Sequence, residues 1–226
     1  MRALLFLILF STHAAAHERL VDFVPHPGAS VPGSLAFREA RLGDFYGRTP
    51  LVLVLGYEGC INLCGTTLDG VSYALRTAGL APGRDYTALF VSVDPRDEKA
   101  PHLARAGWRF LTGAASAARV AQTVGFEYYY DADSGEYAHP AGFVVLTPDG
   151  EVARYFEGVR YDADELRATL AGAGRGETQS TFERVLLLCF HDPLGGRHTP
   201  AVMMALRLMI ATLLAGLGFL AWRYLR

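Results

Sequence analysis

Apolar residues in this chain cluster into short solid runs separated by stretches of helical period. Leu51-Val52-Leu53-Val54-Leu55 is a continuous apolar run. Its length and branched content predict a strand buried on both faces of a sheet. Thr87 to Val93, ending at Asp94-Pro95, predicts a second such strand, and Gly142 to Thr147 a third. Pro148-Asp149-Gly150 then turns the chain into Glu151–Phe156, a hairpin by its turn residues. Between these runs the period changes. Leu68, Val71, Leu75 and Ala78 recur at helical spacing and predict a helix from Cys64 to Ala78. Further helices are expected around Glu98–Ala106 and Ala114–Val124, and a last one from an Asp162 N-cap to about Ala171. Strands alternating with helices define an α/β domain with parallel pairing, and the closing hairpin makes the sheet mixed. Residues 17–48 carry several Gly and Pro and no long periodic run, so they read as an arm with a short hairpin. Ala171-Gly172-Ala173-Gly174-Arg175-Gly176 has the composition of a linker.

The two ends have a different character. Arg2 precedes the apolar run Ala3 to Phe10, and Ala14-Ala15-Ala16 offers an A-x-A cleavage site. This is the pattern of a secretory signal peptide, with the mature chain beginning at His17. Ala201 to Trp222 is mostly Met, Ala, Leu, Ile and Gly, long enough for a membrane span. Arg207 lies near its outer end, where a long side chain can snorkel. Arg223 and Arg226 follow the run, and positive residues prefer the cytoplasmic side. The expected organisation is a signal peptide 1–16, an N-terminal arm 17–40, a folded domain 41–172 and a linker with membrane-proximal segment 173–200. A transmembrane helix 201–222 and a cytoplasmic tail 223–226 complete it. That puts the domain in the periplasm, held to the inner membrane by a single C-terminal pass.

Composition narrows the function. Of 226 residues, 51% are apolar, enough for a buried core, and a formal charge of −2 leaves no basic footprint for nucleic acid. Three cysteines are too few for a disulfide scaffold. No phosphate loop, Ser-His-Asp order or paired catalytic carboxylates can be made out.

Cys60 and Cys64 sit where a buried strand hands over to a helix. A helix N-terminus favours thiolate, and strand ends are where α/β proteins place their sites. Two soft sulfurs four apart suit Cu(I), zinc or an iron–sulfur cluster. A disulfide is equally compatible with the spacing in an oxidising compartment. Cys189 is distant, so a four-sulfur cluster lacks ligands, and closed structural zinc sites ordinarily take four. His139, in Tyr137-Ala138-His139-Pro140-Ala141-Gly142, offers an imidazole at the entry to the third strand.

Larger blocks carry a resemblance. Gly56-Tyr57-Glu58-Gly59-Cys60-Ile61-Asn62-Leu63-Cys64 is followed by Val91-Ser92-Val93-Asp94-Pro95-Arg96-Asp97, then by Trp108-Arg109-Phe110-Leu111-Thr112-Gly113. Ala138-His139-Pro140-Ala141-Gly142-Phe143-Val144-Val145-Leu146-Thr147-Pro148-Asp149-Gly150 completes the series. In this order, over about residues 40–172, the chain resembles the Sco (SenC/PrrC) family of thioredoxin-like copper chaperones for cytochrome c oxidase. The resemblance implies a thioredoxin-like mixed sheet flanked by helices and a copper(I) site at Cys60, Cys64 and His139. It also implies delivery of copper to an oxidase subunit, with other periplasmic copper carriers or thiol reductants as further partners. Ile61 and Gly65 stand where family members often carry proline, which touches loop rigidity rather than ligand identity. Thioredoxin-like folds place a cis-proline beside the cysteines, so Pro140 is expected to be cis. The alternative is a periplasmic thiol–disulfide oxidoreductase working through Cys60 and Cys64. A peroxidase reading is weaker, because Gly59-Cys60-Ile61 lacks the threonine- and proline-rich nucleophile loop.

Other features read as structural. Cys189 with His191 and nearby His198 suits membrane-proximal packing more than a second, transient Cu(I) site. An N-terminal His17 could offer an amine and imidazole to Cu(II). Tyr128-Tyr129-Tyr130 suits sheet or rim packing. Asp94 and Asp97 suit a turn and a helix cap, and His26 and His102 the surface.

Overall fold

Among the described residues of the first part of the chain, a short 3-10 helix at Leu42–Phe45 is followed by seven strands and three α-helices: β1 (Leu51–Gly56), α1 (Leu63–Thr77), β2 (Thr87–Ser92), β3 (Trp108–Leu111), α2 (Ala114–Thr123), β4 (Tyr129–Asp131), β5 (Glu136–Ala138), β6 (Gly142–Leu146), β7 (Val152–Glu157) and α3 (Ala163–Ala173). The computed structural model describes residues 21–60, 63–97 and 106–179, with Met204, 207–214, 216 and 222–223 beyond them. Two units separate along the chain, Met1–Thr178 and Gln179–Arg226.

The first unit is built on a five-stranded sheet in the order β3-β2-β1-β6-β7. β1, β2 and β3 are parallel, while β6 runs antiparallel to β1 and β7 to β6. Every residue of β1 and of β6 is buried, as their continuous apolar runs require. Alternate side chains serve opposite layers. Val52 and Val54 of β1 pack with Leu68, Val71 and Leu75 of α1 and with Leu166 and Leu170 of α3. Leu51, Leu53 and Leu55 face Ala117, Val120 and Val124 of the α2 segment, together with Phe23, Val31 and Leu42 from the arm. Each fully buried Leu or Val of this kind contributes about 1.5–3 kcal/mol.

Within the described residues the expected strands, the helix after Cys64, the helix around Ala114–Val124 and the last helix are present with small shifts of boundary, and Asp162 caps α3 as expected. Its carboxylate accepts the N–H of Asp164 at 2.9 Å and of Glu165 at 2.8 Å. The arm turns tightly, Ala36 bridging Arg41. Three strands were not foreseen. β3 is a four-residue sheet edge, and β4 and β5 form a separate two-stranded ribbon. The expected helix at Glu98–Ala106 falls almost wholly outside the described residues. So do the signal peptide, His102, Cys189, His191 and His198.

In the second unit, Met204, Leu208, Met209, Ile210, Leu213 and Leu214 are exposed. Among the described residues, no helix is long and apolar enough to cross a membrane.

Candidate metal centre

The site begins with the register of the central sheet. β1 meets β6 antiparallel, with Leu51 opposite Leu146 and Leu53 opposite Val144. The C-terminal end of β1 therefore lies beside the N-terminal end of β6. The first end feeds the loop Tyr57–Cys60 and then α1. The second is fed by His139 and Pro140. Residues far apart in sequence are brought to one edge by this pairing alone.

There the Cys64 sulfur lies 3.4 Å from His139 Nε2, and the Cys60 sulfur 3.9 Å from the same atom. The three donor atoms all fall within 4.8 Å of one another. Among the described residues no other His, Cys, Asp or Glu joins this cluster. Cys60 and His139 are half-buried, and Cys64 is buried. No disulfide joins Cys60 and Cys64.

The backbone sets the character of each donor. The N–H of Cys64, at the start of α1, donates to the Cys60 sulfur at 3.2 Å. An N–H at a helix N-terminus favours negative charge on that sulfur. Cys64 is the opposite case. Its thiol is pushed far above the ordinary thiol range by its hydrogen bond to the Cys60 sulfur, then by burial and by the charge of Cys60. His139 Nδ1 is 3.0 Å from the Pro140 carbonyl. A carbonyl only accepts, so Nδ1 is the donor in this contact, and Nε2 is the ring nitrogen that faces the sulfurs.

Packing makes room for this arrangement. A Cβ on Gly56 would stand 2.7 Å from the Cys64 sulfur and 3.1 Å from the Phe90 ring, so the last residue of β1 has no side chain. Tyr57 is buried and meets the His139 ring edge-on, with centroids 5.8 Å apart at 87°. Burial first, then the charge of Cys60, pushes its phenol up to about 12. Phe126 also packs on the His139 ring, with centroids 5.7 Å apart at 31°. Tyr137 packs on Tyr57, Tyr128 and Tyr130.

The cysteine loop is pinned from below. The Asp97 carboxylate accepts the Glu58 N–H at 2.6 Å and the Ser92 hydroxyl at 2.5 Å. Asp94, also buried, pairs with Arg96 at 2.6 Å. Burial would raise its pKa, but the bonds from Arg96 outweigh that and hold the carboxyl below its usual range. Asp94 holds a turn as expected. Asp97 ties two loops together. The aromatic residues around His139 and the tie through Asp97 carry no local sequence signal, because each partner comes from a different segment. One expectation is corrected: among the described residues there is no cis peptide bond, so His139-Pro140 is trans. With a trans bond, Pro140 still carries the carbonyl that fixes the imidazole.

The donor set fits a soft ion. Metal–sulfur bonds of about 2.3 Å and metal–nitrogen bonds of about 2.0 Å put neighbouring ligands about 3.8 Å apart in a trigonal plane. The observed 3.4 and 3.9 Å bracket that value. Two thiolates and an imidazole select soft or borderline ions over magnesium or calcium.

A parallel-plus-antiparallel sheet with a Cys-x-x-x-Cys at the β1–α1 corner and a histidine entering β6 defines a thioredoxin-like protein with a Cys2His cluster. The SCO1/SenC family model matches residues 38–173, and the chain belongs to that family. No curated protein gives a significant match. Solved structures share the fold. Yeast Sco1 with copper bound is 17% identical, with a TM-score of 0.52 over 70% of this chain and 94% of that one. A SCO1/SenC family lipoprotein from Bacillus anthracis is 15% identical, with a TM-score of 0.53 over 64% and 95%. BsSco is a member of the Sco family of cytochrome c oxidase assembly proteins in which a disulfide switch was identified. It is 18% identical, with a TM-score of 0.50 over 66% and 96%.

Proposed function

We propose that this chain carries Cu(I) through Cys60, Cys64 and His139 and passes it to the copper-receiving subunit of a cytochrome c oxidase during assembly. The observation that carries the reading is the convergence of two sulfurs and an imidazole nitrogen within 4.8 Å. Cu(I) accepts three ligands, and the half-buried Cys60 and His139 leave one side for a ligand from a recipient. Ligand exchange through that side moves the ion without releasing it to water. Yeast Sco1 supports the choice of metal, and the BsSco description supports the destination.

Titration of the reduced protein with Cu(I) against a chromogenic chelator tests this. His139→Ala is expected to weaken binding about 10–100-fold, the range for an altered ligand environment. Equal binding by both forms would defeat the three-ligand assignment.

A second reading is favoured by the absence of a disulfide between Cys60 and Cys64 and by the N–H bond that the Cys60 sulfur accepts. Cys60 and Cys64 would cycle between dithiol and disulfide, giving two electrons and two protons to a partner disulfide. His139→Ala would leave most of that activity intact.

The domain is placed in the periplasm on the inner membrane, with a signal peptide at 1–16 and an anchor at 201–222. Support comes from the apolar run itself and from Leu208, Met209, Ile210, Leu213 and Leu214, exposed around a helix. Apolar residues on all faces suit a lipid environment. The Thr212 hydroxyl is satisfied internally, donating to the Leu208 and Met209 carbonyls at 3.0 and 2.9 Å. Release from membranes by detergent but not by high salt is the expected behaviour; release by salt alone would overturn the anchor.

A further inference from the structure

The wall behind His139 is built from the other end of the chain. Phe126 packs on the imidazole, and Phe23 of the arm packs edge-on against Phe126, with centroids 5.6 Å apart at 64°. Phe23 is 5% exposed, although it lies outside every helix and strand of the main sheet. Backbone pairing fixes it there. Phe23 bridges Phe126 antiparallel, Val24 N–H donates to the Gly125 carbonyl at 2.7 Å, and Glu127 N–H donates to the Asp22 carbonyl at 3.2 Å. A second ring closes the nest: Tyr155 meets Phe23 at 5.6 Å and 64°. The Tyr155 hydroxyl donates to the Val124 carbonyl at 3.0 Å and accepts the His26 N–H at 2.8 Å. Gly142, at φ +144, leaves space for the Phe23 ring, which a Cβ there would approach to 3.0 Å.

These contacts form an unbroken line of rings from the arm to the metal ligand. The imidazole contacts the Pro140 carbonyl, part of its own loop, through Nδ1, and the two sulfurs through Nε2. Packing adds to these contacts: the rings of Tyr57 and Phe126 both lie against the imidazole and hold its plane as it faces the sulfurs. Phe126 stands directly after Gly125, whose φ of +65 lets the chain leave the α2 segment, and the Phe23 ring packs edge-on against it. Aromatic pairs of this geometry hold preferred angles, so loss of one ring loosens the next.

We propose that Phe23 is a positioning residue for His139, acting through Phe126, so that the N-terminal arm is part of the apparatus that aims the imidazole at Cys60 and Cys64. It touches neither the ion nor the sulfurs. The affinity part of this proposal rests on the copper reading; the ring geometry does not.

The test uses the full chain in detergent and the substitution Phe23→Leu, which keeps an apolar side chain in the nest and spares the fold. The His139 ring nitrogen resonances are followed in the metal-free protein, and Cu(I) affinity is measured by chelator competition. Phe23→Leu is expected to shift or broaden the His139 ring signals and to weaken Cu(I) binding about tenfold, the low end for residues that orient a ligand. In a His139→Ala background the same substitution is expected to change affinity less than about twofold, because the group it positions is gone. Ring signals unchanged by Phe23→Leu would overturn the proposal, as would an equal loss of affinity in both backgrounds. If the wild type takes up no Cu(I), the copper reading fails, and the ring resonances alone decide the role of Phe23.

Discussion

Gly56 and Cys64 share one volume: the sulfur occupies the space a Cβ at position 56 would need, at 2.7 Å. The end of β1 is thus shaped around a ligand on α1, and Phe90 closes the remaining space at 3.1 Å. Gly56→Ala must push one of them aside. Overpacking of this kind costs about 1–3 kcal/mol. Denaturant unfolding is expected to show that loss, with Cu(I) affinity falling alongside as the sulfur moves. A variant of unchanged stability and affinity would show that the corner yields freely.

Cys60 and Cys64 differ in reactivity. Cys60 is half-buried and accepts an N–H bond, whereas Cys64 is 1% exposed with its thiol pushed up by its neighbour and by burial. Thiolate and access together govern alkylation. Timed iodoacetamide labelling read by mass spectrometry is expected to modify Cys60 at least about tenfold faster than Cys64 near neutral pH. Comparable rates would contradict the asymmetry.

The carboxylate of Asp97 ties the Glu58 N–H and the Ser92 hydroxyl together inside the protein. Asp97→Ala strands both donors. Hydrogen bonds to charged groups contribute about 1.5–3 kcal/mol each, and the unsatisfied donors add to the cost. Ser92→Ala removes one of the two bonds and is expected to cost less. Urea midpoints should rank wild type above Ser92→Ala above Asp97→Ala.

Asp94 gives a pH dependence with a definite sign. Its carboxyl is held below the usual range in the folded state, despite burial, by Arg96. The stabilisation is therefore present above the unfolded carboxylate pKa and is lost as pH falls through the lower folded value. Arg96→Ala removes the ion pair and leaves the buried carboxylate the backbone N–H of residue 96. Acid unfolding followed by circular dichroism is expected to begin at higher pH in that variant. A coincident acid transition would remove the pair from the account.

Much of the fold was legible because its central strands are unbroken apolar runs. Leu51–Leu55 and Phe143–Leu146 have few alternatives to burial, and Pro148-Asp149-Gly150 fixes the turn between β6 and β7. β3, β4 and β5 escaped notice for a shared reason. Each is three or four residues long and partly exposed, so its pairing partner, not its own pattern, makes it a strand. The donors Cys60, Cys64 and His139 were legible from residue type and from the order of the motif blocks. Tyr57, Phe126 and Phe23 were not recognised as the setting of the imidazole, since an aromatic residue in a loop reads the same whether it packs on a core or on a ligand. The trans geometry at Pro140 differs from the expectation carried over from related folds, and a carbonyl contact replaces it as the local device.

The antiparallel register of β1 and β6 ties occupancy to conformation. Cys60 and Cys64 are close neighbours even in a disordered chain, but His139 lies 79 positions beyond Cys60 and reaches it only once the middle of the sheet has zipped. An ion gripped by all three donors accordingly favours the finished molecule over every partly made one, and stability rises with the concentration of free ion. Loading then doubles as an inspection step: a misfolded copy offers two sulfurs and no imidazole, and it lets go of its cargo more readily.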